Sequence, residues 1–393
     1  MQLSEGATFT TSIYAYPWDL VDEGFDISLG RIADLAGCEE VLLTPCYHHG
    51  DYFLPHHPFH PVYFGEPGAI YFSPDLSRYQ GTSIEPIVSH KVTDEEYFDR
   101  IVEAISERGL AFGAWIVYAF QDQLSEAYPQ FARHDVFGTP YSGQLSLAPV
   151  DVCEYFLALT REVVDRFGPS SVFIEALSRL GFPLPPKRQA TIDPRCQYLL
   201  SLCFNPASID TANEAGMDGE AFRQQVLDYV QPRLMAAVKE EGGEPASPAW
   251  VDTAFDGQLK SYIDVSRAHL TELWLQVTDI MHDGGAEVHM SLVNEAQTYD
   301  KDLDLALNDQ CNRICYEPRG EITTAEVEAL RSQAAPNARV LYYWDKHFES
   351  EEEATAILSS AVNAGCDGAT VYNYGLLTER QLGNIGAAVS TLS

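Results

Sequence analysis

Short apolar runs rich in β-branched and aromatic residues alternate along the chain with longer stretches whose apolar positions recur at helical spacing. The runs predict strands at 9–18 (FTTSIYAYPW), 40–46 (EVLLTPC), 110–120 (LAFGAWIVYAF) and 171–177 (SVFIEAL). Four more follow at 286–293 (AEVHMSLV), 312–316 (NRICY), 339–344 (RVLYYW) and 368–374 (GATVYNY). Helices are predicted at 26–36, 94–108, 151–167, 218–239, 255–282, 323–335, 350–364 and 378–391. Their ends carry ordinary signals: Thr93-Asp94-Glu95-Glu96 opens one, and Gly37, Gly109 and Gly168 close others. Strands that alternate with helices imply a parallel sheet, and eight such units in order imply closure into a (β/α)8 TIM barrel, an α/β fold. The rival is an open doubly wound sheet, but no glycine-rich phosphate fingerprint follows the first strand. A barrel of this kind needs about 250 residues. The excess falls in long insertions after strands two and four, 47–93 and 178–216, and in the long helices behind strand four. We expect one domain over 1–393.

One carboxylate interrupts this pattern. SVFIEAL reads as a strand buried on both faces, yet Glu175 stands near its C-terminal end. A buried charge is costly unless it is paired or put to use, and that end of a barrel strand is where chemistry is done. The plain alternative is an ion pair with an arginine such as Arg179. The other strand ends would deliver Trp18 and Asp19, then Tyr47, His48 and His49, then Trp115 and Tyr118. Beyond Glu175 come His289 and Asn294, Tyr316 and Glu317, Trp344, Asp345 and His347, and Asn373 and Tyr374. Carboxylates, imidazoles and aromatic faces around one mouth suit a sugar, whose C–H faces stack on rings and whose hydroxyls bind polar groups. Two carboxylates across such a mouth can cleave a glycosidic bond. Glu175 would be the acid/base, and Asp345 or Glu317 the partner. For Asp345 the plain reading is a cap or surface residue beside Lys346; for Glu317 it is a surface acid before Pro318.

Composition narrows the partners. The chain has 393 residues, 58 acidic and 24 basic, for a net charge of -34. Nucleic acid is disfavoured, because phosphate binding needs a positive footprint. The acids are dispersed and form no tail, which suggests adaptation to high salt. No apolar run approaches a membrane span, and the N-terminus shows no signal core, so a cytoplasmic protein is expected. Eight scattered cysteines suit reduced thiols. Cys311 and Cys315 are a weak zinc signal, and the prolines in LPHHPFHPVYF interrupt any metal spacing of His56, His57 and His60. Neither a P-loop nor a GxGxxG motif occurs, and no cofactor is expected. A homo-oligomer is left open.

Four stretches resemble a broad group of uncharacterised TIM-barrel proteins, the family-10-like glycosyl-hydrolase group. They are YAYPWDLVDEGFD, CYHHGDYFLPHHPFHPVYFGEPGAIYFSPDLSRY, FIEALSRLGF and YLLSLCFNPASIDTANEAGMDGEAFRQQV. The resemblance covers most of the chain and implies the barrel. In the fourth stretch the group often carries further cysteines where this chain has Asn205 and Ser208, so the thiol-based metal site of the group is not expected here. Glycosidases of the clan-A type usually have Asn before the strand-four Glu and Glu after strand seven; this chain has Ile174 and Asp345.

Three functions are therefore carried forward. The first is a glycoside hydrolase acting on a small or oligomeric sugar. The second is a sugar isomerase, epimerase or lyase pairing Glu175 with a histidine, favoured by a metal held by His48, Glu175 and His289. The third is a non-catalytic carbohydrate-binding barrel.

Overall fold

A computed structural model describes residues 9–178, 181, 192–235, 244–292, 310–318, 320–345 and 348–392. Eight parallel strands close on themselves: β1 (Thr10–Ala15), β2 (Glu40–Tyr47), β3 (Ala111–Val117), β4 (Ser171–Glu175), β5 (Glu287–Leu292), β6 (Arg313–Tyr316), β7 (Arg339–Trp344) and β8 (Gly368–Val371). Closure comes from β1, which pairs with β2 on one side and with β8 on the other. The expected (β/α)8 barrel is present. Even β6, only four residues long, is paired on both edges.

Several helix ends follow the sequence signals, but the helix expected from Asp94 begins at Tyr97 with no side-chain cap. Thr323 and Glu326 form a reciprocal capping box at the start of Thr324–Gln333. Ser350 caps Glu351–Ala364, whose first turn holds three glutamates against the positive end of the helix dipole. Gly168 closes Val150–Phe167 in the left-handed conformation at φ 56°.

Two departures matter for the site. The first strand stops at Ala15, because Pro17 starts a short helix, Pro17–Glu23, and its fixed φ suits a first helical turn. Trp18 and Asp19 therefore sit on a helix. Between β3 and its helix lies a further insertion: a helix (Asp122–Ala127) and a hairpin of Ala132–His134 with Pro140–Leu145. The segment 47–93 contains a second hairpin, Asp51–Phe53 with Val62–Phe64, and a short strand, Ala69–Ile70, antiparallel to β2.

The main core joins barrel and helices. A second apolar cluster, around Leu199, Phe204, Phe222, Val226 and Tyr262, holds the helices that follow β4 to one another. Among the described residues no helix is long and apolar enough to cross a membrane.

Candidate functional site

The barrel interior is stacked in layers. At its N-terminal end Arg313 pairs with Glu40 at 2.6 Å and Glu287 at 2.5 Å, and Ser171 donates to Glu40 at 2.8 Å. Gly113 belongs to this crowded layer: a Cβ there would lie 2.5 Å from Leu42 and 2.7 Å from the Ser171 hydroxyl. Tyr14 fills the middle. Its ring meets Trp115 at 4.9 Å, Phe173 at 5.2 Å, Tyr372 at 5.6 Å and Tyr343 at 6.1 Å, so four different parts of the wall close on one side chain.

Glu175 stands above Phe173 on the same face of β4, since strand residues two apart point the same way. It is half-buried at the C-terminal mouth. Trp115 Nε1 donates to its Oε2 at 2.6 Å. Desolvation raises its pKa, opposed by the His48 imidazole and the Trp115 hydrogen bond. Among the described residues, no arginine or lysine pairs with Glu175; Arg179 lies outside them.

Tyrosines ring this carboxyl. The Tyr16 hydroxyl donates to Tyr47 at 3.2 Å and lies 3.5 Å from the Tyr372 hydroxyl. Burial, reinforced by the Glu175 charge, raises the pKa of Tyr47, Tyr343 and Tyr372, so these phenols remain protonated donors. Tyr52, from the hairpin, leans over Tyr16 with ring centroids 5.2 Å apart. The half-exposed groups at the mouth are Glu175, Tyr343, Tyr372, Tyr52 and His48.

Several residues expected at the mouth are elsewhere. Tyr118 faces outward, 3.0 Å from Thr160 and against Phe156. Trp344 also faces outward, onto Phe348. Tyr316 donates to Glu326 on the neighbouring helix at 3.0 Å. Trp18 is fully buried, stacked between Tyr16 at 4.4 Å and Tyr63 at 4.9 Å. Asp19 accepts from the Tyr16 backbone N–H, and burial pushes its pKa up to about 7. Asn373 is buried and accepts from the Gly375 N–H, while Tyr374 donates to Glu23. His49 lies outside the mouth, 3.3 Å from Asp51. His289 sits one layer down, edge-on to Phe173 at 4.9 Å and fully buried, its pKa driven down first by desolvation and then by Arg313 and Arg339. His48, Glu175 and His289 do not converge, and among the described residues no group of three His, Cys, Asp or Glu side chains could hold a metal ion. Asn294 and His347 lie outside the described residues.

Asp345 is exposed at the end of β7 and Glu317 half-buried at the end of β6. Tyr343 feels the charge of both Glu175 and Asp345. The outward-facing Tyr342 also feels Asp345, and more weakly Glu317, whose charge reaches Cys315 as well.

Tyr14, Tyr16, Tyr343 and Tyr372 were not expected in the pocket. The parity of Glu175 gives the inward residues of β4 alone. The strands that lead to these tyrosines do not write their parity in a strict polar and apolar alternation, unlike β5 (EVHMSL).

No protein-family model matches the chain, and no curated protein matches it. Among solved structures it is similar over 98% of its length to alpha-L-fucosidase isoenzyme 2 from Paenibacillus thiaminolyticus, with TM-score 0.57 and 11% identity, covering 49% of that chain. It is likewise similar over 98% of its length to a polyextremophilic beta-galactosidase from the Antarctic haloarchaeon Halorubrum lacusprofundi, with TM-score 0.56 and 12% identity, covering 58% of that chain. A beta-galactosidase from the psychrophilic Marinomonas ef1 gives TM-score 0.54 and 9% identity, with 98% of this chain and 59% of that one covered. The chain thus spans between 49% and 59% of the length of these structures. At such identities the likeness is one of fold.

Proposed function

We propose that this chain is a carbohydrate-active enzyme that hydrolyses a glycosidic bond at the barrel mouth. The observation that carries the reading is Glu175 itself: a half-buried carboxyl with a raised pKa, held by Trp115 and ringed by tyrosine hydroxyls. Such a carboxyl keeps its proton to higher pH than an ordinary glutamate, which is what a general acid requires. Protonated phenols offer donors to sugar hydroxyls, and the aromatic rings offer faces to sugar C–H groups. The barrel fold shared with a fucosidase and two beta-galactosidases supports a sugar substrate, as does the resemblance of four sequence stretches to glycosyl-hydrolase-like barrels.

In this reading Glu175 gives its proton to the glycosidic oxygen as the C–O bond breaks. Asp345 is the second carboxylate in this reading, because it stands directly after β7, two residues beyond the inward-facing Tyr343. Water supplies the hydroxyl on the sugar; its proton goes to Glu175 where Asp345 has formed a glycosyl intermediate, and to Asp345 where Asp345 activates the water, solvent then reprotonating Glu175. Whether Asp345 attacks directly or through water follows from the carboxyl separation, near 5 Å for retention and roughly 6.5–9.5 Å for inversion.

The test is a pair of variants on glycosides with good and poor leaving groups. Glu175→Gln should lower kcat by roughly 10²–10⁴-fold where the leaving group needs a proton. It should lose much less on a dinitrophenyl glycoside. Asp345→Asn should be slow on both. Equal, small effects of Glu175→Gln on every substrate would refute the acid role.

A second reading has one observation in its favour: the His48 imidazole acts on Glu175. The two could serve as base and acid in epimerising or isomerising a free sugar. Conversion of a monosaccharide with no glycoside cleavage, lost in His48→Gln, would favour it.

A further inference from the structure

A second cavity lies beside the barrel mouth, between the hairpin after β3 and the helices Pro206–Glu214 and Gln258–Asp283. It spans about 660 Å³, the open solvent at its entrance included. Its wall is largely aliphatic, with Leu145, Leu147 and Leu270. At one end three polar groups close a triangle. Ser208 donates to Cys203 Sγ at 3.4 Å, Cys203 donates to Ser146 at 3.4 Å, and the two serine hydroxyls lie 3.5 Å apart. His269 also lines the cavity, with its Nε2 3.0 Å from the Leu147 carbonyl and 3.8 Å from Cys153 Sγ.

The cavity is tied to Glu175 by the chain itself. Ser178 is part of its lining and is three residues beyond Glu175. Three residues of fully extended chain reach at most about 11 Å. The path is fixed at both ends. Ala176 turns off the strand in a left-handed conformation at φ 58°, and its carbonyl accepts from Ala119 N–H at 3.2 Å. The Leu177 carbonyl accepts from Trp274 Nε1.

The geometry points to this cavity as the seat of the leaving group of the glycoside: an apolar, aryl-type aglycone with a polar edge, whose sugar lies at Glu175. The inference rests on the reading of Glu175 as the acid. An aglycone with an aromatic ring and polar substituents matches the reach, the leucine faces and the further polar side chains of the wall, Arg133, Thr211, Tyr262 and Ser266.

The test uses the full chain in high salt with 2-naphthol as the probe and labelling of Cys203 by N-ethylmaleimide, followed by mass spectrometry, as the readout. Cys203→Ser identifies the labelled thiol. The probe should protect Cys203 in the wild-type protein and equally in Glu175→Gln. Ser266 lines the cavity and is exposed on its helix, so Ser266→Trp fills the cavity with little threat to folding. It should abolish protection and raise KM for a naphthyl glycoside about tenfold, leaving KM for the methyl glycoside unchanged. Unchanged labelling in the presence of 2-naphthol would overturn the inference whatever Glu175→Gln does. So would protection accompanied by identical KM changes for both glycosides. If protection and the selective KM change hold while Glu175→Gln keeps full activity, the cavity stands as the aglycone seat and the acid role of Glu175 falls.

Discussion

Two neighbours oppose the raised pKa of Glu175, His48 first and then Trp115. Trp115 Nε1 donates to the carboxyl at 2.6 Å, and a donor stabilises the ionised form. Burial by the surrounding aromatics pulls the other way and wins, since the pKa is raised. Trp115→Phe removes the donor and keeps most of the ring. The pKa of Glu175 should then rise further. For a general acid the alkaline limb of the pH–rate profile reports its ionisation, so that limb should move to higher pH in Trp115→Phe. An unmoved limb would mean that another group sets it. Glu175 was legible in the sequence because a carboxylate in an apolar strand is an anomaly. Tyr343 was not, although it stands beside Asp345 in the chain. In RVLYYW both faces are apolar, and only the closed barrel shows that Tyr343 turns inward while Tyr342 and Trp344 turn outward.

Among elements, the segment after β2 has the clearest device of its own. Its hairpin is two-faced: Tyr52 and Tyr63 pack over Trp18, while Phe53, Val62 and Phe64 face outward. Two histidines fasten the loop to the barrel. His57 Nδ1 accepts from the backbone N–H groups of Phe59 and His60, and its Nε2 lies 3.2 Å from Asp22. His56 faces acceptors on both sides, the Leu377 carbonyl at 2.8 Å and Glu23 at 3.0 Å, which favours the imidazolium. Burial lowers its pKa, but Glu23 and the Leu377 carbonyl outweigh that and the net shift is upward despite the nearby Arg31. A raised folded-state pKa contributes stability that is complete below the unfolded value, near pH 6.5, and is lost as pH rises through the folded value. Asp19 acts in the same direction. Its pKa of about 7 in the fold exceeds the unfolded value, so its contribution fades as pH climbs from about 4 through 7. Urea midpoints should therefore fall from about pH 6 to 8. His56→Gln should flatten that slope, and a slope equal to wild type would show that the latch does not titrate. The sequence announced this loop by length and by its histidines. It did not say which histidine was structural, because that depends on Asp22, Glu23 and Leu377, brought in from β1 and β8 exits. Strand and helix order, by contrast, was legible almost throughout, because several helices carry their own caps and each strand its own apolar run.

At the scale of the whole molecule, a charge of -34 dominates. Arginines are drawn into ion pairs with acids, as Arg31 with Glu23, Arg166 with Asp99 and Arg331 with Asp367, and the acids still outnumber the bases by 58 to 24. Self-repulsion of this size is long-ranged in dilute buffer, where the screening length is about 10 Å at 0.1 M, and short-ranged at 1 M, where it is about 3 Å. We propose that the fold is adapted to high salt. Its urea midpoint should rise steeply between those two conditions with little change in the denaturant slope, and a salt-independent midpoint would contradict the proposal. High salt is accordingly the condition for the most direct test of the central claim: a crystal structure of Glu175→Gln with an intact aryl glycoside bound. The account predicts the sugar among Tyr343, Tyr372 and Tyr52, with the residue-175 side chain within about 2.6–3.2 Å of the glycosidic oxygen. A glycoside bound away from the mouth, or bound there with its glycosidic oxygen out of reach of residue 175, would contradict it.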